Sequence, residues 1–138
     1  MNATTQRTGD RVCTRAWGDR TLKTKGIYSG AKRNIELLCD YGSDVEAFIE
    51  SLDASDRKKL DVLFERMGEF GKITNPEKFK KLEDSDGVFE FKSFQIRILC
   101  FMAGARVVLC RGLYKKRNKH VPGDIQYVEG CRKKFLGE

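Results

Sequence analysis

Two arginines, Arg97 and Arg111, flank Ala103-Gly104-Ala105 within residues 89–117, a stretch rich in Phe, Ile, Val and Leu. A three-residue loop containing glycine between two such runs is a hairpin signal. Pairing centred on Gly104 sets Met102 against Arg106, Cys100 against Val108, and Arg97 directly against Arg111 on one face. Facing cations repel, so a solvated sheet gains nothing from this arrangement, whereas a site for phosphate or another polyanion does. A slip of one residue would put the two on opposite faces. Beyond the hairpin lies a basic run, Lys115, Lys116, Arg117, Lys119 and His120, ended by Val121-Pro122-Gly123. His120 is the only histidine, and its ordinary pKa suits proton transfer near neutrality; the bland reading is an exposed loop residue.

The elements that must position these groups follow from periodicity. Residues 34–40 form a short apolar run of strand length, closed by Tyr41-Gly42-Ser43. Ser43 and Glu46 fit a capping box ahead of Val45, Phe48, Ile49 and Leu52. A second helix starts at the capping residues 53–56 and carries Leu60, Leu63, Phe64 and Met67 at helical spacing, stopping at Gly68 and Gly71. Residues 72–86 read as irregular. Phe89 and Phe91 share one strand face and Glu90 and Lys92 the other; the apolar parity then switches to Phe94, Ile96 and Ile98, which demands a turn or bulge near Ser93. Asp124 begins a final helix through Leu136, with Ile125, Val128, Cys131 and Phe135 inward and Arg132, Lys133 and Lys134 near its C-terminus. The expected order is β, α, α, β, β, β, α.

The chain is 138 residues long, which fits one domain with a moderate core. Its net charge of +7 is unevenly distributed. Residues 1–33 carry 8 basic and 2 acidic groups, residues 34–86 carry 8 and 14, and residues 87–138 carry 11 and 4. An acidic middle between basic ends implies a basic working surface, for which nucleic acid is the commonest partner. Residues 1–33 lack periodicity and read as a basic N-terminal extension, either a flexible arm touching RNA or a segment ordered by Trp17 and Ile27. The domain proper is residues 34–138. No apolar run approaches the roughly 18 residues of a membrane span and no secretory signal is visible, so a cytoplasmic protein is expected. The five cysteines contain no CxxC pair and read mainly as small buried hydrophobes; no metal and no cofactor are expected.

With the residues in this order, the chain resembles the RelE/ParE toxin superfamily, and within it the HigB-like, phage-derived toxins with their "yElR", "yRi" and "vvllhaFvKK...P" patterns. The resemblance rests on Leu82, Phe89-Glu90-Phe91-Lys92, Gln95-Ile96-Arg97-Ile98, Val107-Val108-Leu109 and Leu113-Tyr114-Lys115-Lys116 with Pro122 beyond, and covers about residues 34–136. It implies an α+β fold: a small antiparallel or mixed sheet of about four strands packed on an N-terminal helical hairpin, with a C-terminal helix. It also implies a ribosome-dependent mRNA endoribonuclease held in check by a cognate antitoxin, usually a helix-turn-helix DNA-binding protein. Lys92 stands at the family's basic residue after "yEl", Arg97 at its strand arginine, and Lys116 at its basic residue past the last strand. Arg111 replaces the histidine common in HigB-like sequences, so an imidazole base at that position is absent.

Cleavage by the 2′-hydroxyl requires proton removal, stabilisation of a pentacoordinate phosphate and protonation of the leaving 5′-oxygen. Arg97, Lys116 and Lys92 are the catalytic candidates for charge stabilisation, and His120 for proton transfer, beside Tyr114, Tyr127 and Glu90. Arg111, Lys115, Arg117, Lys119 and Tyr127 are candidates for holding RNA, by phosphate contact or, for Tyr127, by stacking on a base. Glu90 is equally readable as an ion-pair partner of Lys92 or another cation. Two other readings stay open: a ParE-like toxin that inhibits gyrase, and an inactive member that only binds RNA or a partner.

Overall fold

The computed structural model describes residues 12–13, 22–114 and 122–137. In chain order these form β1 (Val12–Cys13), β2 (Thr24–Ser29), β3 (Asn34–Leu38), α1 (Val45–Glu50), α2 (Ala54–Phe70), β4 (Phe79–Lys81), β5 (Phe89–Ser93), β6 (Ile96–Ala103), β7 (Arg106–Tyr114) and α3 (Pro122–Leu136). Among the described residues the strands make one mixed sheet of seven, in the order β1-β2-β3-β7-β6-β5-β4. Only the β3/β7 pairing is parallel. The α+β class agrees with expectation, but the sheet is larger than the expected four strands. The additions are β1, β2 and β4. Part of the segment read as lying outside the domain therefore belongs to the sheet: β2 pairs along β3, and Leu22 is buried.

Helices cover both faces. Ile35, Leu37, Ile98 and Leu109 pack with Ile49, Leu60, Phe64 and Met67 on the α1/α2 face. Leu99, Phe101, Val108 and Cys110 pack with Val128 and Cys131 of α3 on the other. Burial on both faces is why β6 and β7 read as near-continuous apolar runs. Cys100, Cys110 and Cys131 are buried, as expected of small hydrophobes, while Cys39 is exposed.

Helix α2 has the expected ends: Asp53 accepts a hydrogen bond from Asp56 N at 2.8 Å, and Gly71 adopts the left-handed conformation, φ 80°, beyond the last turn. The capping box expected for α1 does not form. Ser43 Oγ accepts from Val45 N at 3.4 Å, not from Glu46 N, and donates to the Cys110 carbonyl at 2.8 Å, while Glu46 pairs with Lys25 Nζ at 2.7 Å. Residues 72–86, read as irregular, contain β4, whose Phe79 stacks on Phe89.

The β6/β7 hairpin departs from the expected register. Ala103 pairs with Arg106, so the loop is two residues, and the ladder then shifts at a bulge opposite Leu99 and Cys100: Cys100 faces Leu109 but Leu99 faces Arg111. Arg97 therefore faces Leu113, not Arg111. The slip reverses the facing and the bulge, which inserts Cys110, reverses it back. The arginines share a face as diagonal neighbours. The parity switch near Ser93 is a tight turn, Ser93 pairing with Ile96 around Phe94, whose φ is 56°.

Strand β2 is tied to α2 at Gly30, where an added Cβ would lie 2.3 Å from the Gly68 backbone, and Lys32 N and Arg33 N both donate to the Gly68 carbonyl. Tyr28 adds a hydroxyl donated to Glu69, which pushes the phenol up to about 12. Since the folded state favours the neutral phenol, this bond's stabilisation is in place below pH 10 and is lost as pH rises from 10 towards 12. Tyr28→Phe should flatten the stability curve in that window, measured by urea unfolding at stepped alkaline pH, with little change in the slope below pH 9.

Candidate functional site

The two strand turns build a ladder of polar residues on the α3 face. Glu90 of β5, Leu99 of β6 and Arg111 of β7 form one row across the sheet; Lys92, Arg97 and Leu113 form the next. Three of the expected basic residues thus share a face, with Lys92 directly opposite Arg97. Lys115, Lys116, Arg117, Lys119 and His120 lie outside the described residues.

Arg97 is held from several sides. Its Nε lies 3.8 Å from Oε1 of fully buried Glu90, too far for a hydrogen bond but at ion-pair distance, and its Nη1 donates to the carbonyls of Phe94 and Ile96. The guanidinium, 13% exposed as a side chain, is thereby oriented before any ligand arrives. Glu90 is thus beside Arg97, in the ion-pair role that was open to it. Lys92 is half-buried and has no carboxylate within ion-pair distance among the described residues.

Arg111 sits in a different setting. Its Nη1 reaches Asp124 at 3.4 Å and its Nε Asp44 at 3.9 Å, while its guanidinium covers the Tyr127 ring at 4.2 Å. Two carboxylates offset its charge, so its capacity for phosphate is lower than that of Lys92. Asp124, expected from sequence to begin the final helix, lies in the first turn of α3, which starts at Pro122, and serves as this partner. Tyr127 stacks on Tyr41 at 6.0 Å and donates its hydroxyl to the Tyr41 carbonyl at 2.9 Å. Burial, then a hydrogen bond with Cys131, raises the Tyr127 pKa far above the ordinary phenol range. It is a poor proton donor there, and one ring face is taken by Arg111. Sequence reasoning passed over Asp44 and Tyr41. The left-handed φ of Tyr41, 59°, follows from the Tyr-Gly-Ser break, but its pairing with Tyr127 depends on where α3 lands.

A mixed sheet sandwiched between a helical pair and a C-terminal helix, with Lys92 and Arg97 in one row of its central meander, defines a small α+β protein with a basic row on one sheet face. The chain belongs to the family described as "Phage derived protein Gp49-like (DUF891)", whose model matches residues 47–130. That family is one of RelE/HigB-like toxins of toxin–antitoxin systems, in keeping with the resemblance read from the motifs, and membership implies a cognate antitoxin. No curated protein matches the chain. Among the described residues no helix is long and apolar enough to cross a membrane.

Proposed function

We propose that this protein is the toxin of a type II toxin–antitoxin pair and acts as an endoribonuclease on mRNA held in the ribosomal A site. The observation that carries this reading is the row in which Lys92 faces Arg97, with Glu90 orienting the guanidinium. Arg97 binds the scissile phosphate and meets the charge that grows on its oxygens, which a fixed donor does without reorganising. Lys92 and Lys116 add positive charge for the phosphate, and His120 exchanges the proton with the 2′-hydroxyl or the leaving 5′-oxygen. Lys115, Arg117 and Lys119 hold the strand by phosphate contacts, whereas Arg111 and Tyr127 brace α3 against the sheet and shape the edge of the site. In-line attack by the 2′-hydroxyl is an internal transfer that needs charge stabilisation and proton transfer, both available from these side-chain types. The partner that silences the activity is an antitoxin of the helix-turn-helix kind.

Induction of the wild type in cells should arrest growth and yield new mRNA 5′ ends within codons, while the Arg97→Ala, Lys116→Ala double variant should give neither. Equal toxicity of the two would remove the catalytic assignment. DNA breaks with intact mRNA would instead mark a gyrase inhibitor.

A further inference from the structure

The sheet face opposite the Lys92/Arg97 row carries a second feature. Between α2, the segment leading to β4 and the β5/β6 turn lies a groove of about 540 Å³. Four cations line it, Lys59, Arg66, Lys72 and Lys78, and no carboxylate does. Among the described residues none of the four takes part in an ion pair, although other surface cations such as Lys25 and Arg57 do. The acidic block of the sequence thus contains a basic concavity that neutral packing does not require.

The groove is also apolar. Of the six large hydrophobic side chains that stand exposed among the described residues, Val62, Phe70 and Phe94 all border it, the last two 71% and 72% exposed. Leu63 and Ile73 form its buried floor. On α2 the bordering positions are 59, 62, 63, 66 and 70, one continuous stripe of the helix. That stripe adjoins the core stripe of Leu60, Phe64 and Met67 and shares Leu63 with it. Phe94 is presented by a turn in which its own φ is unfavourable for a side chain of its size, and Lys59 Nζ rests over its ring at 4.5 Å. A solvated helix gains nothing from such a stripe.

We propose that this groove docks an acidic amphipathic helix of a partner protein, its aliphatic side chains against Val62, Phe70 and Phe94 and its carboxylates toward the four cations. Charge complementarity selects the sign, and the aliphatic floor selects peptide over nucleic acid. A single-stranded RNA would need a run of open aromatic faces for successive bases, whereas Lys59 covers one face of the Phe94 ring, Phe70 is the other aromatic in the lining, and the floor is aliphatic, Leu63 and Ile73. The proposal stands whether or not the chain cleaves RNA.

The test uses the full chain, isotope-labelled, titrated with three probes: a synthetic helix of about 18 residues, roughly 27 Å long, with a leucine stripe flanked by glutamates; the same peptide with lysines for glutamates; and a short oligouridine. The acidic helix should shift the resonances of Val62, Phe70, Ile73 and Phe94 saturably, and the lysine twin should not. Lys59→Glu with Arg66→Glu, both exposed on α2, should weaken the acidic helix by about tenfold while leaving the spectrum elsewhere unchanged. Absence of shifts at these residues, equal binding of the lysine twin, or tighter binding of oligouridine at the same residues would each overturn the proposal.

Discussion

Replacing Arg97 by alanine should lower the rate of ribosome-bound mRNA cleavage by about 10²–10³-fold, the usual effect of removing one preorganised donor to a developing oxyanion. The loss should fall on the chemical step in single-turnover measurements, with ribosome affinity changed only a few-fold, because Lys92 and the basic run beyond β7 still meet the phosphates. Arg97→Lys should recover little: a point charge cannot take the carbonyls of Phe94 and Ile96 while also presenting a planar fork to phosphate. Because Arg97→Ala also removes a cation beside buried Glu90, some destabilisation will accompany it. The Arg97→Ala, Glu90→Gln pair separates the two effects. It should regain thermal stability without regaining cleavage. If the pair regains both, the arginine's contribution is to the fold alone.

The second large effect lies on the same sheet face, at the opposite end of β7. Arg106 at the start of β7 makes two hydrogen bonds to Glu36 of β3, at 2.8 and 2.6 Å, and Thr24 of β2 donates to the same carboxylate at 2.8 Å. Both charged side chains are largely buried, 14% and 9% exposed, and Phe135 of α3 lies under the guanidinium at 4.6 Å. The group joins three strands and a helix. Arg106→Ala should therefore cost about 3–5 kcal/mol, since it strands a buried carboxylate, and lower Tm by roughly 10–15 °C in a domain of this size. Replacing Arg106 by Met, Glu36 by Leu and Thr24 by Val together should recover most of that loss, because a buried ion pair exchanged for packed apolar groups is often neutral. Thermal melts of the single and triple variants check this directly.

Much of the central meander was legible because alternation is a local signal. Phe89 and Phe91 against Glu90 and Lys92, and the parity change into Ile96 and Ile98, place β5, the turn and β6 without any knowledge of their neighbours. Helix α2 was legible for the same reason. Strand β2 was not: Thr24, Lys25 and Gly26 have no apolar rhythm, and Thr24 is buried because Glu36 and Arg106 receive it, a condition set by residues 12 and 82 positions away. The bulge in β7 leaves no mark in composition, so the register of the two arginines could only come from the paired strands. Arg97 and Lys92 were identifiable as a basic pair, but the orienting role of Glu90 and the neutralising one of Asp44 and Asp124 depend on packing between distant elements. Ser43 shows the limit well: its spacing to Glu46 fits a capping box, yet Glu46 is drawn away by Lys25 of β2 and the serine hydroxyl is donated to the Cys110 carbonyl of β7.

That last bond gives the bulge a mechanical meaning. Strand β3 borders β7 from Arg106 to Leu109, so among the described residues Arg111, Gly112, Leu113 and Tyr114 pair only with β6. The site end of β7 is a cantilever. Its root is the bulged Cys110, whose carbonyl is pinned by Ser43, and its underside is propped where Gly112 leaves just enough room for the Phe48 ring. A load applied at the tip, through Tyr114 and the basic run it leads into, can bend the strand without breaking any bond to β3. The half beside β3 is anchored by backbone bonds on both edges, and the other half by one strand and the side chains of α1 and α3.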